Sequence, residues 1–163
     1  MINVKPLWCP NMQTFLPYSN FKKSLSALDD KRLGKQRVEA FQILKALKAG
    51  PGAAWYNHPA VQMWKGYEEL LKEYYNTCIK VWVSRNFENN MEYAILTPNV
   101  DPVPIPWWLG VEKFHRAMRA RLIHKNPVYY DMWPEDEDFN DGRYWWPVNE
   151  TKTFKIIIPK SER

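Results

Sequence analysis

Apolar side chains recur at helical spacing in three stretches of the chain, and prolines interrupt the pattern between them. In the first stretch, Leu33, Ala40, Phe41, Leu44 and Leu47 fall on one side of a helix. They predict a helix from about Ser26 to Lys48 with that stripe buried. Ser24 or Ser26 is placed to cap it, Asp29 and Asp30 suit its positive end, and Gly50-Pro51-Gly52 stops it. The strongest amphipathic signal follows in Val61, Trp64, Tyr67, Leu71, Tyr74, Cys78 and Trp82. It predicts one long helix from Asn57-His58-Pro59 to Arg85-Asn86, capped by Asn57, with Pro59 in its first turn and packed on the first helix. The third stretch predicts a helix from Gly110 to His124 with Val111, Phe114, Met118 and Leu122 inward, ended by Asn126-Pro127.

Elsewhere the pattern is irregular. Pro6, Pro10 and Pro17 make Met1–Ser19 an N-terminal arm, and Pro98, Pro102, Pro104 and Pro106 keep Glu88–Pro106 a loop. A short extended piece fits at Tyr93–Leu96. Beyond the third helix come Tyr129-Tyr130, an acidic stretch from Asp131 to Asp141, the cluster Tyr144-Trp145-Trp146, and a strand or extended tail at Phe154–Ile158. The fold predicted is mainly α, a compact single domain of about three principal helices with Pro-rich irregular connections and a little edge β. Its segments are an arm (1–19), a helical core (20–130) and an acidic, aromatic C-terminal extension (131–163).

Composition adds a partner. Nine Trp, nine Tyr and a net charge of +5 describe a basic, aromatic-rich chain of 163 residues. Such a chain can hold phosphates with Lys and Arg and stack bases on rings, which brings in double-stranded DNA; the same residues also simply fill cores and solvated faces. Cys9, Cys78 and the three histidines His58, His115 and His124 show no metal-ligand spacing, so no metal and no cofactor is expected. With no apolar run near membrane length and no signal-peptide core, a cytoplasmic, nucleoid-associated monomer is expected.

The segment from Leu28 to Glu39 carries the most chemistry. On a helix Arg32, Lys35, Gln36, Glu39 and Gln42 share one side, with Arg37 beside them. A carboxylate among cations stays ionised and can stabilise a developing positive charge, as when a glycosidic bond breaks through an oxocarbenium-like state. The plain alternative is a solvated Lys35–Glu39 pair. On the third helix Lys113, Arg116, Arg119, Arg121 and Lys125 can clasp a phosphate backbone or form a solvated face. His58, at a helix N-terminus, sits where protonation is disfavoured and anions bind. Trp107-Trp108 and Tyr129-Tyr130 offer stacking surfaces or core, and Glu135–Asp138 reads as a solvated loop that would repel DNA. There is no phosphate loop, nucleophile elbow, zinc signature or helix–hairpin–helix pattern.

The residues Leu28-Asp29-x-x-Arg32-Leu33, followed at helical distance by Glu39, resemble the first helix of the pyrimidine-dimer DNA glycosylase/AP lyase family, the phage endonuclease V type. In register, Asn57-His58-Pro59 and the helix to Arg85-Asn86-Phe87 resemble its Gly-His turn and its long helix ending in Arg-Gly-Phe. Arg119-Ala-Arg-Leu122 with Asn126-Pro-Val-Tyr-Tyr130 resembles its closing helix, proline break and aromatic tail. The likeness spans Met12 to Asp131.

It implies a helical fold without metal or cofactor that kinks damaged duplex DNA and extrudes a nucleotide. An N-terminal α-amine attacks C1′ to form an imine, which β-elimination resolves into a strand break. The glutamate matching Glu39 stabilises the sugar cation and assists proton transfer, Arg32 stands where the family commonly has a histidine, and His58 matches its second site histidine. The implied DNA contacts are Arg32, Gln36, Arg37, His58, Arg116, Arg119, Lys125, Tyr129 and Tyr130. The amine has three candidate sources: an arm beginning at Met1, a start at Met12, or Lys35 one turn from Glu39. Without any of these, Glu39 would activate water in a monofunctional glycosylase. A base-modifying enzyme and a non-catalytic DNA-binding module are the alternatives from other classes.

Overall fold

Asn20 opens the first helix, its Oδ1 accepting the Lys23 N–H at 2.8 Å to cap α1 (Phe21–Ser26). The computed structural model describes residues 12–157. Most of the expected arm, with the Met1 start and Cys9, lies outside the described residues, as does Ile158 of the expected tail strand. The helices α2 (Asp30–Ala49), α3 (Pro59–Gln62), α4 (Glu68–Ser84) and α5 (Glu112–Lys125) follow. Two short 3-10 turns, Pro134–Asp136 and Phe139–Gly142, lead into an antiparallel hairpin of β1 (Tyr144–Val148) and β2 (Thr153–Ile157). The fold is mainly helical with this one small sheet, as the sequence pattern predicts.

Two helix assignments need correction. The first long helix begins at Asp30 rather than Ser26. Ser24 lies inside α1 and exchanges hydrogen bonds with the Tyr18 main chain, accepting at 2.9 Å and donating at 2.8 Å, so neither predicted serine caps α2. The second helix is not continuous. Gly66, at φ +89°, makes the turn between α3 and α4, and its N–H donates to Glu68 Oε1 at 3.1 Å. The cap of α3 is His58 rather than Asn57.

The described residues fall into two compact units. One takes 12–14 and Asp30–Pro106; the other takes Phe15–Asp29 and 107–157. In the first unit α2 packs on α4, with Leu33, Ala40, Ile43 and Ala46 buried on one helix and Leu71, Tyr74, Cys78 and Ile79 on the other. Gly34 permits the approach, because a Cβ there would lie 3.0 Å from the Trp82 ring. The buried stripe is rotated from the predicted one: Phe41 is 47% exposed and Gln36 is inside. The proline-rich loop after α4 is held by side chains, since its own backbone cannot form a ladder. Asn76 pairs both ways with Ala94 (3.0 and 2.7 Å), Tyr75 donates to the Glu92 carbonyl at 2.6 Å, and Glu69 accepts the Thr97 N–H at 2.9 Å. Tyr93–Leu96 is therefore tethered chain that belongs to no helix or sheet.

The second unit is built on aromatic packing. Phe154 of β2 meets Trp107 at 4.9 Å, Phe114 of α5 at 5.7 Å and Trp145 at 5.4 Å between ring centroids. Trp108 is core. Tyr130 stacks on Trp133, whose indole N–H donates to the Tyr18 hydroxyl at 2.7 Å. No helix among the described residues is long and apolar enough to cross a membrane.

Candidate active site

The carboxylate singled out on α2 sits in a network of amides. Glu39 Oε2 accepts the Gln36 Nε2–H at 2.9 Å and faces the Gln13 main-chain N–H at 3.4 Å. Gln36 Nε2 also donates to the Gln13 carbonyl at 3.2 Å, so the residue-13 main chain is clasped on both its polar groups. Behind them the Tyr74 hydroxyl donates to Gln36 Oε1 at 2.6 Å, and the Trp64 indole N–H donates to Thr14 Oγ1 at 3.0 Å. Gln13 and Thr14 are wholly buried and Gln36 is 1% exposed. The side-chain amide of Gln13 is buried without a hydrogen-bond partner. Burial, then the neighbouring Cys78 and Glu39, raise the Tyr74 phenol well above its ordinary range, so it remains a neutral donor.

Around this network the expected residues take different places. Met12 is buried, next in the chain to the clasped residue. Arg32 is half-buried two turns before Glu39, whereas Lys35 is exposed and makes no ion pair with Glu39. The solvated Lys35–Glu39 pair is thus not formed. Arg37 lies over the Trp82 ring at 4.1 Å and donates to Asn89 Oδ1 at 2.8 Å, and burial lowers its pKa. His58 is 9% exposed, and its Nδ1 accepts the Ala60 N–H at 3.0 Å, which puts the ring proton on Nε2. One turn past Glu39, Gln42, Lys45, Ala46, Ala49, Ala53 and Trp55 line a cleft of about 260 Å³.

The second unit holds the remaining candidates. Asp136 is 1% exposed and receives Arg116 Nε at 2.7 Å and Arg119 Nε at 2.6 Å. Arg119 also donates to the Pro17 carbonyl at 2.8 Å and to Glu112 at 2.7 Å. These contacts commit Arg119 to the interior, and they correct the reading of Glu135–Asp138 as a purely solvated run. Lys125 is half-buried and Tyr129 is 43% exposed. Tyr130 is buried, its hydroxyl donating to Asp29 Oδ1 and accepting the Asp29 N–H at 3.0 Å.

In the sequence pattern Gln36 falls among DNA contacts and Trp64 and Tyr74 in an apolar stripe, while Gln13 and Thr14 have no part in the site. A signal for the first was present: Gln36 lies on the Leu33–Ala40–Ile43 face, where a polar side chain must find partners.

The family model described as pyrimidine dimer DNA glycosylase matches residues 12–94, half the chain and all of the network around Glu39. The chain belongs to the pyrimidine dimer DNA glycosylase family. It is by family a DNA glycosylase, with DNA as substrate. The likeness noted at Arg119–Tyr130 falls outside the matched span. No curated protein and no solved structure matches the chain.

Proposed function

We propose that the protein excises a damaged pyrimidine from duplex DNA, with Glu39 as the carboxylate that stabilises the sugar cation. The observation that carries this reading is Glu39 itself. It is a partly buried carboxylate inside the family span, with one oxygen fixed by Gln36 and aimed at the residue-13 main chain. Preorganised charge of this kind acts where positive charge develops at C1′ and O4′ as the base departs. The target nucleotide must leave the stack to reach it. The cleft one turn along α2, lined by alanines and Trp55, is a candidate seat for the extruded base, and Arg32 and Lys35 on α2 are the candidate phosphate contacts.

The lyase half of the reading depends on an amine. An α-amine attacking C1′ would displace the base, and opening of the C1′–O4′ bond, with the nitrogen proton lost and O4′ protonated, would form an imine; loss of the C2′ proton would then expel the 3′ phosphate and break the strand. Gln13 N, 3.4 Å from Glu39, is a peptide nitrogen and no nucleophile. A chain beginning at Met12 would carry its amine one residue, about 3.8 Å of chain, from that point. For a chain that begins at Met1, whose amine lies outside the described residues, the second reading is a monofunctional glycosylase in which Glu39 activates water.

Borohydride trapping on a duplex with a single abasic site separates these, using chains begun at Met1 and at Met12. A covalent protein–DNA adduct from the Met12 chain, stronger than from the Met1 chain, is the result expected of the lyase. Absence of an adduct from both removes the lyase, and formation of abasic sites in irradiated duplex by both chains then supports the water-using enzyme.

A further inference from the structure

Gln36 is a buried amide on an otherwise apolar helix face, and its two ends have different partners. Its Nε2 hydrogens go to Glu39 Oε2 (2.9 Å) and the Gln13 carbonyl (3.2 Å), while its Oε1 accepts from the Tyr74 hydroxyl (2.6 Å). Reversal of the amide would turn Oε1 toward the Glu39 carboxylate oxygen and the Gln13 carbonyl, two acceptors to which it cannot bond. The Glu39 carboxylate and the Gln13 carbonyl thus fix the orientation in which Gln36 donates, and the Tyr74 hydroxyl, supplied by α4, anchors the amide's other end by donating to Oε1. We propose that Tyr74 and Gln36 form a positioning relay that fixes the Glu39 carboxylate and holds it ionised for the excision step; this rests on the reading of Glu39 given above. Neither residue needs to touch DNA. Gln36 acts on Glu39, and Tyr74 acts on Gln36.

The relay makes distinctive demands. A donor to the ionised carboxylate favours the charged form, so weakening it moves the acid side of the rate profile to higher pH. Because Tyr74 works through Gln36, losing both should be no worse than losing Gln36 alone, a non-additivity that two independent packing defects would not show. Gln36→Glu keeps the shape and can still accept from Tyr74. It replaces the donor with a second carboxyl, and two carboxyls in contact cannot both ionise readily.

The test measures single-turnover excision, DNA affinity and the pH–rate profile on duplex containing a pyrimidine dimer. The chains compared are wild type, Tyr74→Phe, Gln36→Leu, their double variant, Gln36→Glu and, as reference, Glu39→Gln. The relay predicts a fall of about 10-fold or more in the single-turnover rate at unchanged DNA affinity. It predicts an acid limb displaced upward in Tyr74→Phe and further in Gln36→Glu, and a double variant equal to Gln36→Leu. If Tyr74→Phe fails to melt cooperatively, Gln36→Glu carries the test. Wild-type rates with an unmoved acid limb in Tyr74→Phe and Gln36→Glu, beside an inactive Glu39→Gln, overturn the relay and leave the Glu39 reading standing. A Glu39→Gln variant as active as wild type overturns that reading and the relay with it.

Discussion

At the scale of single residues, buried polar groups decide the most. His115 is buried on α5. Its Nδ1 donates to the Leu16 carbonyl at 2.8 Å, because its Nε2 accepts the Gly110 N–H at 2.9 Å. Burial is the largest influence and lowers its pKa below the ordinary 6.5. The unfolded chain thus binds a proton that the folded chain refuses, and stability rises with pH across that interval. His115 then contributes fully above about pH 6.5, and the contribution is lost as pH falls from there toward the lowered folded value. Chemical denaturation from pH 7 to 5 should show wild type losing more stability than His115→Gln; parallel curves would contradict the assignment. Residues like this are poorly legible in sequence. His115, Gln36 and Asp136 are polar letters, and only the fold reveals that each has found partners inside.

At the scale of elements, spacing predicted where helices form better than where they break. The α2 and α5 spans came close to expectation because apolar periodicity is what buries a helix. The split between α3 and α4 did not, because apolar spacing runs unbroken from Val61 to Trp82 and the interruption lies in the conformation of Gly66. Rotation of the α2 stripe has a related cause: Gln36 occupies a core position that a count of apolar residues assigns to Phe41 or Leu44. Within the α2–α4 contact Gly34 faces the Trp82 ring, and Gly34→Val would push branched carbons into that ring. Overpacking of this kind should cost about 1–3 kcal/mol, read as a lowered thermal midpoint. A midpoint equal to wild type would mean that the two helices can separate freely at that point.

At the scale of the whole molecule, net charge is a coarse guide to the DNA-facing surface. Several of the cations behind the +5 are engaged within the protein: Arg37 on Trp82, Arg116 and Arg119 on the buried Asp136, and Arg85 in a surface pair with Asp30 at 2.9 Å. The glycosylase character was legible in the ordered run from Leu28 to Glu39 and in His58. The amide network that holds the carboxylate was not, because its members come from sequence-distant segments with unrelated patterns. The central claim is that Glu39 carries the chemistry, and the most direct measurement is excision from irradiated duplex by Glu39→Gln, with binding followed in parallel. We predict a loss on the order of 100-fold or more in excision with affinity close to wild type. Excision at the wild-type rate would contradict the account and leave Glu39 a structural partner of Gln36.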